Sequence, residues 1–250
     1  MALKAKNIQR GPDDIDSGLR ALNRLEPSGL SAEGLGWQQR KSAQTRVAIL
    51  EATIDSLEQY GYAGTTTQTI GDLAKISRGA MMHHYSSKQE LIDAVIGYTF
   101  YKRLEWITTR ISALSHEQRT KQLLGIQILW ESYITREFSA YTELSVASRT
   151  DPDLQAMFLP KAKRFDKIYL EEVARLHPDW PESLPFVLLN DFGRAALEGL
   201  ANNIHIWEPK RIEAVRQLQN LVFTKIRQGD FPLPAAAPKA KGRGKRTGAK

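Results

Sequence analysis

Between residues 40 and 88 the chain places six cations, Arg40, Lys41, Arg46, Lys75, Arg78 and Lys88, in stretches with helical spacing. The chemistry open to them is electrostatic: ammonium and guanidinium groups neutralise phosphates and release the counterions those phosphates hold. Covalent chemistry finds no comparable support. There is no Gly-x-Ser-x-Gly elbow, no phosphate-binding Gly-Lys-Ser/Thr loop, no dinucleotide fingerprint and no His-Glu-x-x-His pattern. His83 and His84 are adjacent, and neighbouring side chains on a helix point about 100° apart, too far to grip one ion. His116, His177 and His205 have no ligand spacing, and the chain has no cysteine. The expectation is no catalytic residues, no metal and no cofactor.

Residues 61–90, GYAGTTTQTIGDLAKISRGAMMHHYSSKQE, supply the elements that must position the cations. Ile70, Leu73 and Ala74 share a helical face, Ile76 and Ser77 make a bend, and Gly79, Ala80, Met81 and Tyr85 continue as a second short helix. Thr66 can cap the first of these and Ser77 the second. Ser87, with Glu90 three residues on, reads as a capping box opening a third helix at Lys88. The punctuation is that of a helix-turn-helix, in which two helices cross steeply and the second enters the major groove of DNA. Small residues at the crossing, Ala74, Gly79 and Ala80, suit close approach of the backbones.

From about Thr45 to Ile96 the chain resembles the amino-terminal domain of the TetR/AcrR family of bacterial transcriptional regulators. The resemblance is carried by a first amphipathic helix (Val47, Leu50, Ile54, Leu57), the Gly61-Tyr62 pair that ends it, Thr65-Thr66, Ile70, Ala74, Ile76-Ser77, Gly79, the His83-His84-Tyr85 run and Ser87-Lys88. Lys75 departs from the glycine usual in that turn, Met82 from a common phosphate-contacting tyrosine, and Tyr85 from a usual phenylalanine. A lysine can hold a left-handed turn conformation at about 1 kcal/mol, but a thioether donates no hydrogen bond to phosphate. The DNA interface expected from motif and resemblance together is Arg46, Thr66, Thr67, Gln68, Lys75, Ser77, Arg78, Ala80, Met82, His83 and Lys88, with His84 packing behind His83.

The net charge of +7 does not itself argue for this, because six of the seven excess charges come from residues 237–250. Phosphate affinity must therefore come from a local face. Residues 1–40 hold Gly11-Pro12, Pro27-Ser28-Gly29, Gly34 and Gly36, and read as a flexible extension with one possible helix over Asp13–Leu25, mobile or docked on the body. Residues 41–98 read as the DNA-binding domain, 99–232 as a helical ligand-binding and dimerisation domain, and 233–250 as a disordered basic tail. The GRGKR run of that tail fits either a solubilising role or an arm along DNA. With 42% apolar residues the chain can bury one or two cores. No signal-peptide core and no membrane-length apolar run is present, so a soluble cytoplasmic protein with no membrane partner is expected.

The body reads as helix after helix with no alternating strand, giving an all-α fold. Expected segments are Glu117–Tyr133, Arg136–Ser148, Pro152–Leu176, Leu184–Ile206 and Pro209–Arg227, with starts marked by Asp151-Pro152, Ser183 and Glu208-Pro209. The last two carry apolar stripes that suit either core or a dimer contact. The resemblance implies that this pair meets its twin as a four-helix bundle, with Leu189, Gly193, Ala196, Leu200, Val215 and Val222 as the expected dimer residues. The body aromatics suit core, and family members of this kind use the region as an apolar pocket. Trp130, Tyr133, Phe138, Tyr141, Phe165, Tyr169 and Phe192 are the residues assigned to it. The resulting expectation is a homodimeric regulator, a repressor released from a palindromic operator in double-stranded DNA when a small-molecule effector occupies the body. An architectural DNA-binding protein independent of ligand is the alternative, and an enzyme on this fold the third.

Overall fold

The computed structural model describes residues 21–27, 29, 30, 34, 36–115, 118, 122–176 and 185–230. Among these residues the ordered elements are helices: α1 (Trp37–Gly64), α2 (Thr67–Ala74), α3 (Arg78–His84), α4 (Lys88–Ser112), α5 (Gln122–Tyr133), α6 (Arg136–Ala147), α7 (Pro152–Leu176), α8 (Phe186–Asn202) and α9 (Pro209–Gln228). The basic segment 233–250, most of the first twenty-odd residues and the possible helix before residue 21 lie outside the described residues.

Helix starts follow the expected side chains. Thr66 accepts from the Thr69 amide at 3.1 Å and Thr69 Oγ1 accepts from the Thr66 amide at 2.9 Å, so two otherwise orphaned donors at the start of α2 are satisfied reciprocally. Ser77 caps α3 through the Ala80 amide, and Ser87 caps α4 through the Glu90 amide. The expected reciprocal half of the last box is displaced by one residue. The Glu90 carboxylate accepts from the amide and the hydroxyl of Ser86, not from Ser87. Those two hydrogen bonds, strongest to the ionised form, hold the Glu90 carboxyl below its ordinary range.

Two backbone positions set the helix-turn-helix geometry. Lys75 ends α2 in the left-handed region at φ 55°, ψ 40°, where a Cβ is crowded. Replacing it with glycine should raise stability by about 0.5 to 1 kcal/mol, the relieved strain being partly offset by the greater freedom of glycine in the unfolded chain. A higher urea midpoint for K75G at unchanged slope would register it. The close crossing in the turn belongs to Gly71, where a Cβ would sit 3.0 Å from the Ile76 carbonyl oxygen. This corrects the expectation that placed Gly79 and Ala80 there: both are exposed, and nothing lies within 4 Å of a Cβ built on Gly79.

α1 starts at Trp37, earlier than its apolar pattern, so the last residues assigned to the extension belong to it. Its first turns stand clear of the core until Ala43, and Ile49, Leu50, Ile54 and Leu57 form the buried stripe. Gly61, at φ 66°, breaks the helix where the Gly61-Tyr62 pair was expected to. There the Tyr62 amide donates to Glu143 of α6 at 3.2 Å. Arg136 of α6 forks between Glu51 and Asp55 of α1, with the Asp55 arm at 2.5 Å. Lys161 of α7 pairs with Asp93 of α4. α4 passes residue 98 without interruption, and one apolar core continues from Ile49, Ile70 and Leu91 through Phe100 and Leu104 to Phe158, Phe165 and Tyr169. The motif and the body are thus joined by packing rather than by a linker.

The amino-terminal stretch docks as well. Ala21 and Leu22 are buried against the main core, Arg24 pairs with Glu171 at 2.6 Å, and Arg164 donates to the Arg24 carbonyl. For residues 21–25 the docked alternative describes the chain, because Leu22 and its neighbours cover apolar surface that would otherwise face water.

Candidate nucleic-acid interface and body site

α2 is held from behind by Ile70, α3 by Met81, and Tyr85 plugs the end of α3; all three are buried. With those side chains turned inward, Thr66, Gln68, Lys75, Ser77, Arg78, Ala80, Met82, His83 and Lys88 are left exposed, and Thr67 is half-buried. The expected interface residues of the motif therefore share one outward surface, with α3 in its middle. Gln68 donates to Asp72 at 2.8 Å, which tethers an acid near the edge of that surface. Lys88 lies 5.5 Å over the Tyr62 ring, a position that restrains the ammonium and leaves it exposed.

Arg46 is placed differently. Its guanidinium lies 5.7 Å over the Tyr85 ring and donates to the His84 carbonyl at 3.4 Å, so it braces the carboxy-terminal end of α3. The cation near the negative pole of a helix is favourable there, and Arg46 thus stands at the end of α3, apart from the outward surface of the motif. His84 is half-buried, and burial followed by His83 and Arg46 lowers its pKa, so it stays neutral at pH 7. The ring centroids of His83 and His84 are 5.8 Å apart and tilted. Among the described residues no group of three or more His, Cys, Asp or Glu could hold a metal ion.

In the body, Tyr133, Phe138, Tyr141 and Phe165 surround the guanidinium of Arg103, at 5.9, 5.2, 4.2 and 5.4 Å from its carbon to the ring centres. Arg194 of α8 lies 4.6 Å over Tyr169 and pairs with Asp166 at 2.7 Å. Six of the seven aromatics assigned to a pocket are brought together around these arginines or in the adjoining cluster of Trp130, Leu197 and Ile212. Phe192 is the exception. It is 46% exposed and lies against Phe223 on the outer side of α8. The sequence reading missed Arg103 and Arg194. Arg103 lies one turn from each of Thr99 and Ile107, both buried, and a lone arginine at that place on a helix carried no sequence signal. A separate cleft of about 390 Å³ lies between residues 24–27 and 30 and the motif, lined by Arg24, Leu30, Arg46, Glu90, Asp93 and Lys161 among others; it is not the aromatic site.

Burial raises the phenols of Tyr169 and Tyr85 from 10.0 to about 12. The folded state therefore keeps protons that the unfolded chain loses above pH 10, and the sign is a loss of stability on the alkaline side only. The tyrosine contribution to stability should be level below pH 10 and fall by about 2 kcal/mol per tyrosine as pH rises to about 12. Urea unfolding across that window would show the fall, and Tyr169→Phe should flatten it.

Of the six residues expected at a dimer contact, three are buried within the chain and three are half-buried. Leu189 packs on Phe223 and Ile226, Gly193 lies against the Phe223 ring, and Leu200 is buried with Leu197 and Ile212. Val215 and Val222 are half-buried against the same two clusters, and Ala196 is half-buried. Leu189, Leu200, Val215 and Val222 pack α8 and α9 within the chain. The outer face carries a second stripe, with Leu188, Phe192, Ala195 and Gly199 on α8 and Ala214, Leu218 and Leu221 on α9 all exposed. Leu218 is 58% and Leu221 55% exposed.

The head geometry has its counterpart in known proteins: residues 49–95 match the family described as bacterial regulatory proteins, tetR family. Residues 49–95 thus form a tetR-family segment. The HTH-type transcriptional regulator CymR of Pseudomonas putida is 28% identical over 118 residues, which are 47% of this chain and 58% of that protein. RutR of Escherichia coli K12 is 33% identical over 61 residues, 24% of this chain and 29% of RutR. The match thus spans little more than half the length of CymR and centres on the TetR-family head. Beyond the head the likeness is one of fold. A transcriptional regulator from Saccharomonospora viridis, solved in complex with choline, aligns over 73% of this chain and 96% of its own at a TM-score of 0.56 and 14% identity. One from Rhodococcus sp. Rha1 aligns over 75% and 99% at a TM-score of 0.54 and 18% identity.

Proposed function

We propose that this protein is a homodimeric transcriptional regulator that represses from a palindromic operator and is released by a small molecule bound in the body. The observation that carries the reading is the continuity of α4. Lys88 at its first turn borders the exposed surface of the helix-turn-helix, and Arg103, on the same helix, enters the aromatic cage. At about 1.5 Å per residue the two are about 22 Å apart on one rigid rod. A ligand that changes packing around Arg103 shifts the rod, and with it the recognition helix. In a dimer the two recognition helices must stand about 34 to 36 Å apart, or a multiple, to engage both half-sites. A ligand that favours another separation disfavours DNA to the extent of its differential affinity.

The second copy is assigned to the exposed stripe of α8 and α9. Each face alone leaves Leu188, Phe192, Leu218 and Leu221 in water, and pairing two such helix pairs buries them in an isologous four-helix contact. Arg78, Ala80 and His83 are placed toward base edges or nearby phosphates, Thr66 and Gln68 toward the backbone, and Lys88 toward a phosphate. The choline complex of the Saccharomonospora viridis neighbour supports testing small molecules in the body. Selection of a high-affinity duplex from random DNA, followed by titration against scrambled DNA, tests the reading. An operator preferred by about a thousandfold or more at physiological salt is expected. Equal affinity for both duplexes would leave non-specific architectural binding as the function.

A further inference from the structure

Resting on the body site just proposed, we propose that its ligand is an organic anion, a carboxylate on a flat apolar frame, and that Arg103 binds the anionic group. Arg103 is 7% exposed, and its guanidinium is bounded by the rings of Tyr133, Phe138, Tyr141 and Phe165. Ring faces satisfy part of the charge but accept no conventional hydrogen bond from the planar N–H groups. The Nε of Arg103 has no hydrogen-bond partner among the described residues. The other arginines of this region have ion-pair partners, Arg136 with Glu51 and Asp55, Arg194 with Asp166, and Arg216 with Glu213; the Nε of Arg216 is also buried without a partner, but its terminal nitrogens are held by Glu213 and Gln127. The nearby acid Glu198, one turn after Arg194 on α8, contributes to the field at Arg103 without a hydrogen bond or ion pair to it.

A guanidinium cannot relieve its burial by losing its proton in the accessible pH range. Burial in fact lowers the pKa of Arg103, the direction expected for a charge lacking its counterion. A cationic ligand would meet Arg103 and Arg194 together, and a neutral hydrocarbon would leave the Nε–H unpaired. A carboxylate can take the Nε–H and a terminal N–H in parallel, the geometry guanidinium offers best. The hydroxyl of Thr99, one turn before Arg103 on α4, is also buried without a partner. The aromatic walls set the remainder of the ligand: flat and apolar, able to stack where Tyr141 now lies on the guanidinium.

The test uses the full chain and three probes of one shape, benzoate, benzamide and benzylamine, followed by calorimetry and thermal unfolding. Benzoate is expected to bind at least about tenfold more tightly than either of the others, the usual scale for a charge-assisted hydrogen bond. In R103M its affinity should fall to that of benzamide, while ligand-free stability stays level or rises, because a buried charge without a partner has been removed. R103K, which keeps the charge and loses the fork, should lie between. Benzamide or benzylamine binding as tightly as benzoate, or R103M binding benzoate unchanged, overturns the anion assignment and leaves the body site standing. Failure of all three probes to bind removes the body site itself, and the anion assignment with it.

Discussion

Leu218→Glu should convert the proposed dimer to a monomer in light scattering at micromolar concentration, with the helical circular dichroism of each chain unchanged. Leu218 is 58% exposed in the isolated protomer, so glutamate there costs the fold nothing. In the proposed contact two carboxylates would lie in a desolvated apolar seam, at a cost of several kcal/mol. Leu200→Glu distinguishes the two faces. Leu200 is buried with Leu197 and Ile212, so a carboxylate there must unfold the α8–α9 pair within one protomer, and loss of helical signal is its expected result. If L218E remained dimeric, the contact would lie elsewhere. If L200E gave folded monomers, the inward assignment of its stripe would be wrong. A monomer should also lose operator affinity, since each recognition helix then binds its half-site alone.

The contrast between these two residues shows what the sequence could convey. Spacings of three and four identify a helical face, and α8 has two such faces, one through Leu189, Gly193 and Leu200 and one through Leu188, Phe192 and Ala195. Periodicity cannot say which turns toward Phe223 and Ile226 of its own chain, because that depends on where α9 returns. The helix-turn-helix was legible for the opposite reason. Its positions are fixed by local chemistry, the caps at Thr66, Ser77 and Ser87 and the bend at Ile76, all readable over a few residues. What it could not convey inside the motif was tertiary: Arg46 reaches from α1 to the His84 carbonyl, and Gly71, not Gly79, takes the close crossing. Arg103 was invisible in turn because a lone arginine on a long helix reads as a solvated charge until Tyr133, Phe138, Tyr141 and Phe165 arrive from three other helices.

The same head can be broken for DNA without being broken as a fold, and Ala80→Glu is the substitution that does so. Ala80 is exposed at the third position of α3, where the Ser77 hydroxyl accepts from its amide. Glutamate at that position is favourable to the helix, both as the second member of a capping box and as a negative charge near the positive end of the helix dipole. Thermal stability should therefore hold or rise slightly. Against DNA the same carboxylate faces the phosphates and base edges in the middle of the outward surface, and like-charge juxtaposition in a contact costs several kcal/mol. Operator affinity should fall by about a hundredfold or more, with both half-sites affected in the dimer. Lys88→Ala should behave differently, weakening operator and random DNA by similar factors and reducing the salt slope by about one counterion per protomer. Arg78→Ala should change the preferred sequence. Unchanged operator binding by A80E at moderate salt, with the variant folded, would remove α3 from the DNA contact altogether and send the search to the exposed first turns of α1, where Trp37 and Lys41 stand clear of the core.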